Sequence, residues 1–236
     1  MGQLATILIF SWLAGLTAFV GGVLAKLEGS AETETKQEII HAVIALGGGI
    51  LVAAIAFALV PEGIAVLSPF ALAGVFCAGG LLFCLLDAHL SRLGSNRAQF
   101  MAMLMDFVPE AISLGAVFAS NHHLGILLAL FIGAQNLPEG FNSFRELVST
   151  GRKPGSTLAN LLGISLLGPL AAATGYFLLQ NRTILTAGIM SFAAGGILYL
   201  IFQDIAPQSR MRRHWLPPLG AVLGFVCGMI GKQLLG

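Results

Sequence analysis

Charge is the first thing this chain lacks. Only 10% of its 236 residues are Asp, Glu, Lys or Arg, against about 25% in an ordinary soluble domain. The formal net charge is +1 and there is no basic block, which excludes nucleic acid as a partner. Cysteine is equally sparse. Cys77, Cys84 and Cys227 all fall in apolar runs and form no CxxC pair, so they read as small buried hydrophobes rather than redox or metal groups. The hydrolase and metallopeptidase patterns H-E-x-x-H, H-x-x-E-H and G-x-S-x-G are missing as well, so an enzyme is not expected. No Lys or Arg precedes the first apolar stretch, which argues against a cleaved signal peptide.

What the chain has is apolar length. Hydrophobic residues make up 56%, and the mean hydropathy is +0.88. Apolar runs of about 20 residues read as membrane-spanning helices. Eight are present, at roughly 4–26, 40–61, 68–89, 99–119, 124–146, 157–179, 183–205 and 215–235. The expectation is an all-α, polytopic protein: one transmembrane domain over 1–236, set in the cell's inner or plasma membrane. The connection from Leu27 to Ile39, with its interspersed Glu and Lys, reads as a solvated loop, and Gly151 to Gly155 as a break.

Orientation follows from the basic residues. Lys26, Lys36, Arg92, Arg97, Arg145, Arg152, Lys153, Arg210, Arg212 and Arg213 all fall in odd-numbered connections; only Arg182 and Lys232 lie on the other side. Odd-numbered loops are therefore expected in the cytoplasm, with both termini extracytoplasmic. The 30 glycines, clustered at Gly47-Gly48-Gly49, Gly79-Gly80 and Gly195-Gly196, suit close helix packing in lipid.

Against this background two short segments stand out, Asp106-Phe107-Val108-Pro109-Glu110 and Gln135-Asn136-Leu137-Pro138-Glu139. A charge at a bilayer centre costs about 2.5–3.5 kcal/mol even on the lenient insertion scale. No Lys or Arg lies at that depth to offset Asp106, Glu110 and Glu139. A bound cation is the simplest remedy, and protons are the next. Residues four apart share a helix face, so Asp106 pairs with Glu110 and Gln135 with Glu139. Counted inward at ~1.5 Å per residue, Asp106 comes level with Glu139 and Glu110 with Gln135, ~10 Å and ~16 Å deep. Each proline removes a backbone donor and frees the carbonyl four residues back, that of Met105 or Ala134. Asn136 is a candidate auxiliary ligand. Oxygen donors suit Mn²⁺ and harder ions, while Fe²⁺ and Zn²⁺ also accept carboxylates. Protonating a carboxylate would release the ion. Glu62, Asp87 and Asp204 lie at helix ends, where interfacial solvation or a pathway role are both open. His122 and His123 read as a polar turn or as groups that capture metal at an entrance.

These segments resemble the helix-four and helix-five signatures of the ZIP (Zrt/Irt-like) divalent metal transporters. Weaker likenesses lie at Leu59-Val60-Pro61-Glu62, at Leu81 to Asp87 and at Ser191 to Gly196. The resemblance implies an eight-helix bundle with inverted repeats, and a homodimer. It also implies a metal site formed by Asp106, Glu110, Gln135 and Glu139, with Asp106 where the family has histidine. Phe107 and Gly168 stand where ligands of a second metal would be, so a single ion is expected. The implied function is import of Zn²⁺, Fe²⁺ or Mn²⁺, the metal being cargo, with no prosthetic group. The rival readings are a proton-coupled carrier of an organic solute and an intramembrane metalloenzyme.

Overall fold

The computed structural model describes residues 2–29, 33–92, 95–179, 181–212 and 214–235; of residues 91, 95–102 and 119 it describes the backbone alone. Among these residues the chain forms eight helices and no strand. They are α1 (Gln3–Glu28), α2 (Glu34–Val66), α3 (Pro69–Ser91), α4 (Ser95–Ser120), α5 (His122–Ser149), α6 (Pro154–Leu179), α7 (Thr183–Gln208) and α8 (Leu219–Leu235). Six of them, α1, α2, α3, α5, α6 and α7, are long and apolar enough to cross a membrane. The protein is thus a helical multi-pass membrane protein. Helix α8 is apolar but only 17 residues long, ~26 Å at 1.5 Å per residue against a hydrocarbon core of about 30 Å.

The helix starts follow local chemistry. Thr33, Ser68 and Asn121 cap α2, α3 and α5 with side-chain oxygens that accept from Lys36, Ala71 and Leu124 N–H. Pro69 and Pro154 occupy first-turn positions where a missing N–H costs nothing. Two expectations need correction. The stretch up to Ile39 is helical from Glu34 onward, because Thr33 and Glu34 start a helix whose charged first turn precedes the apolar run. Helix α8 starts at Leu219 rather than 215, because Pro217 and Pro218 cannot donate into a helix. The cysteines are corrected too: Cys77 and Cys227 are exposed on the bundle's outer surface and Cys84 is half-buried.

Three helices are irregular. Helix α6 breaks at Leu166, between Pro154–Ser165 and Leu167–Leu179; Pro169 leaves the carbonyl of Ser165 without its helical donor. Helices α2 and α7 each contain one π turn, over Ile55–Leu59 and Ile201–Ile205. In both, the N–H five residues on closes the turn, from Val60 to Ile55 and from Ala206 to Ile201. A proline follows immediately, Pro61 in one and Pro207 in the other.

Four helix pairs cross at glycines, α1 with α5, α4 with α6, α2 with α8 and α3 with α7; α1 also packs along α6, and α4 and α5 meet in the middle. Each pair is held by two glycines that exchange contacts. A Cβ on Gly21 would strike the carbonyl of Leu137, and one on Gly140 that of Ala18. Gly115 meets Ala172 and Gly175 meets Ile112. Gly49 meets Ala221 and Gly224 meets Leu46. Gly79 meets Phe192 and Gly195 meets Phe76. In every case the carbonyl belongs to the residue three before the partner glycine. Only a bare Cα permits this approach, and Cα–H···O contacts reward it. Around α2 the three consecutive glycines face three neighbours: Gly47 faces Pro138 of α5, Gly48 faces Ile205 of α7 and Gly49 faces α8.

This pairing is unchanged when α1 is exchanged with α6, α2 with α7, α3 with α8, and α4 with α5. The glycine contacts fix the register, matching Gly21 to Gly175, Gly49 to Gly195, Gly79 to Gly224 and Gly115 to Gly140. The two π turns then fall at equivalent positions, as do Pro61 and Pro207.

A candidate cation site between the fourth and fifth helices

Helices α4 and α5 run antiparallel through the centre and bury the polar groups named from the sequence. Asp106, Glu110 and Gln135 are 5%, 1% and 0% exposed. Gln135 donates from Nε2 to Glu110 Oε2 at 2.6 Å. The side chains of Asp106 and Glu139 face each other at the other level. The level pairing expected from depth, Glu110 with Gln135 and Asp106 with Glu139, is therefore the observed one. Asp106 Oδ1 also accepts from the N–H of Phe107 at 2.7 Å.

Two acceptors in this cluster stay open. Gln135 Oε1 and Glu139 Oε1 are buried and find no hydrogen-bond partner among the described residues. An unsatisfied buried polar group costs about 1–3 kcal/mol, so the cluster is incomplete as it stands. No three His, Cys, Asp or Glu side chains among the described residues are drawn together closely enough to hold a metal ion. The oxygens converge as two pairs on successive helical turns, Glu110 with Gln135 and Asp106 with Glu139.

Both helices remain continuous through Pro109 and Pro138. Ser113 Oγ donates to the Pro109 carbonyl at 2.8 Å, and the Pro138 ring rests on Gly47. From Asp106 and Glu139 a cavity of about 70 Å³ extends between α2, α4, α5 and α7. Asn142, Ser143, Asp204 and Gln208 line its shallower part, toward the chain end of α5 that carries Arg145 and that of α7 that precedes Arg210. We refer to this as the basic end. One ordered water needs ~10–15 Å³ of such space, so several fit. Asn142 Nδ2 donates to Gln208 Oε1 at 2.8 Å across the cavity's shallow end.

Other predicted residues are placed elsewhere. Asn136 is 2% exposed, and its Nδ2 donates to the Ala14 carbonyl at 3.0 Å. It does not line the cavity. One residue beyond Gln135 the helix has turned toward α1, and Asn136 ties α5 to that neighbour. Phe107 is 1% exposed, and its ring tip sits against both Gly15 of α1 and Gly168 of α6. The two positions singled out for a second metal are thus filled by an aromatic ring and the bare backbone it packs on. Asp87 accepts from Tyr199 Oη at 2.9 Å, joining α3 to α7. Glu62 is half-buried at the far end of α2. His122 is exposed and meets the Phe118 ring edge-on at 4.6 Å.

The Asn142–Gln208 pair was not anticipated. The signal existed: Asn142 follows Glu139 by three residues and Gln208 follows Asp204 by four, which keeps each on its acid's face. At the basic end Glu28 accepts from Arg145 at 2.6 Å and pairs with Lys36 at 3.0 Å. His214 lies 3.0 Å from Glu34 and 3.4 Å from Glu38.

No protein-family profile matches the chain. It is similar to a zinc transporter, GufA, of Myxococcus xanthus, with 30% identity over 138 residues. The match covers 58% of this chain and 54% of that protein, so the chain spans about half the length of the curated relative it matches.

Proposed function

We propose that the protein imports a divalent cation of the Zn²⁺, Fe²⁺ or Mn²⁺ type across the inner or plasma membrane, through a single site made by Asp106, Glu110, Gln135 and Glu139. The observation that carries this reading is the pair of open acceptors, Gln135 Oε1 and Glu139 Oε1. They sit among buried carboxyls at the head of a cavity lined by further oxygen groups. Lone acceptors in an apolar interior attract a proton or a cation. Four convergent oxygen side chains without a basic partner suit a divalent ion. The similarity to a protein named as a zinc transporter supports the same reading.

The chemistry follows from the pairs. Binding a divalent ion displaces protons from the carboxyls and draws the two tiers together. Returning a proton weakens the site and frees the ion. Phe107, wedged between Gly15 and Gly168, leaves no room on the α1–α6 side, so one ion is held and its exit is toward Asn142, Asp204 and Gln208. Asn136 keeps α5 seated on α1 and lies outside the ligand set. In this reading all eight helices cross the membrane, the basic end faces the cytoplasm, and both termini face out. The matched glycines and π turns support two inverted halves, because helices five apart in an up-and-down bundle run in opposite directions.

Uptake by purified protein in sealed proteoliposomes tests the proposal. Zn²⁺, Fe²⁺ or Mn²⁺ is expected to accumulate, and Glu110→Ala with Glu139→Ala to abolish it. Folded protein that carries none of the three ions, or full uptake by the double variant, would overturn it. Titration calorimetry with Zn²⁺ and Mn²⁺ separates it from a proton-coupled carrier of organic solutes, which binds neither.

A further inference from the structure

Helix α2 packs on both α7 and α8, while α7 and α8 barely meet each other. The gap between them has a low floor, because Ala45, Gly48 and Gly49 of α2 carry almost no side chain. Its walls are apolar: Ile201 and Ile205 come from the π turn of α7, Phe225 and Met229 from α8. The result is a groove of about 510 Å³, within the ~300–1,000 Å³ usual for small-molecule sites. Val52, Val222 and Met229 along it are 37%, 56% and 48% exposed, so it opens sideways, toward the hydrocarbon.

At the basic end the groove runs into a polar pocket, and Ala206 and Ser209 line both. The pocket is formed by the connection between α7 and α8, which presents Arg210, Arg212, His214 and Trp215. Among the described residues no acid lines it. His214 is turned onto α2, 3.0 Å from Glu34 and 3.4 Å from Glu38. That fastens the connection in place and spends the imidazole on α2. Arg210 and Arg212 are exposed, and neither has a carboxylate partner among the described residues. Trp215 is 86% exposed, as suits an indole at the level of lipid headgroups.

We infer that groove and pocket together bind one anionic phospholipid from the leaflet at the basic end, an acyl chain lying between α7 and α8 and the phosphate resting on Arg210 and Arg212. An apolar groove in a bilayer admits any lipid tail, so the tail selects nothing. Selection comes from the pocket. A guanidinium offers a phosphate two parallel N–H donors, and basic pockets between membrane helices hold acidic headgroups. A free phosphate would leave the groove unfilled. Gly48 and Ile205 line the groove on one side and the ion cavity on the other. A seated chain therefore backs the cavity wall at the π turn of α7. The site stands on the membrane fold and is independent of which ion is carried.

The purified chain, stripped of lipid in detergent, is titrated with phosphatidylglycerol or with phosphatidylcholine of the same acyl chains and read by native mass spectrometry. A surface arginine is worth roughly fivefold in affinity for an acidic lipid, so two should hold one phosphatidylglycerol roughly twenty-five-fold more tightly than phosphatidylcholine. Arg210→Gln with Arg212→Gln should bring phosphatidylglycerol down to the phosphatidylcholine level. Val222→Trp fills the groove with both arginines in place, and should weaken retention of both lipids. Amide exchange over residues 201–209 should slow several-fold when phosphatidylglycerol is added to the parent protein, and not in the double arginine variant. All comparisons are made at an unchanged size-exclusion profile. Equal retention of the two lipids, or phosphatidylglycerol affinity unmoved by the arginine replacements, overturns the site. Unchanged retention in Val222→Trp overturns the placing of the tail. Displacement of the lipid by millimolar inorganic phosphate shows that the arginines take a free anion, and overturns the phospholipid as occupant. Exchange that ignores the lipid overturns its bearing on the cavity wall.

Discussion

At the basic end of the bundle, α2, α4, α5 and α7 enclose a cavity lined by Asp106, Glu139, Asn142, Asp204 and Gln208. Toward the opposite end the positions matched to that lining are Phe131, Leu114, Val117, Phe118 and Ala58, all buried and apolar. The backbone at the two ends is nearly the same: matched glycine crossings, a π turn, then a proline. The side chains at the matched positions are what differ most plainly. In lipid the helix frame is held by close backbone approach rather than by burying apolar surface. That leaves inward-facing side chains free to be polar and loosely packed at one end, apolar and tight at the other.

The comparison can be broken most decisively at its hinge, the carboxyl cluster between the two ends. Glu139→Gln should cut ion uptake to background, because it removes the charge at the head of the cavity, while the purified protein keeps its size-exclusion profile. Next come the shared crossings. Gly115→Val and Gly140→Val occupy equivalent places, and each would drive a side chain into a carbonyl. Overpacking typically costs about 1–3 kcal/mol and more where backbone must move, so both should lose most of their folded yield, to a similar degree. A large difference between the two would show that the ends do not share one frame. Asp204→Asn and Ala58→Asp then probe the contrast in lining. The first should slow uptake several-fold without changing metal affinity at the main site. The second should destabilise the protein by about 2.5–3.5 kcal/mol, because it buries a lone carboxylate among apolar neighbours. Smaller is Asn136→Ala, which deletes one hydrogen bond to Ala14 and should lower stability by about 0.6 kcal/mol, leaving the Zn²⁺ dissociation constant unchanged in calorimetry. Arg145→Ala, which breaks a part-exposed pair with Glu28, should cost about 0–1 kcal/mol, less at high salt.

The helices were legible because apolar length is a strong signal, and their faces because i and i+4 coincide. Glu110 with Gln135, and Asp106 with Glu139, could be paired from depth alone. What could not be read depended on rotation about each axis. Asn136 adjoins Gln135 in sequence but points to α1, since one residue advances the helix by about 100°. The glycine crossings match Glu110 to Gln135, and these two are the residues that touch. The start of α2 was missed because hydropathy registers the lipid-facing run, whereas Thr33 and Glu34 mark where hydrogen bonding begins.

The π turns set the phase of everything beyond them. Each winds one surplus residue into its helix, and a surplus residue swings all later side chains by about 100° around the axis. Deleting Phe202 would restore even winding in α7 and carry Gln208 off to a different flank, so that Asn142 would face bare backbone. The same excision at Ala56 would turn Glu62 away from the bundle's midline. Two insertions, each a single amino acid long, therefore determine whether either mouth of this bundle has a polar rim at all.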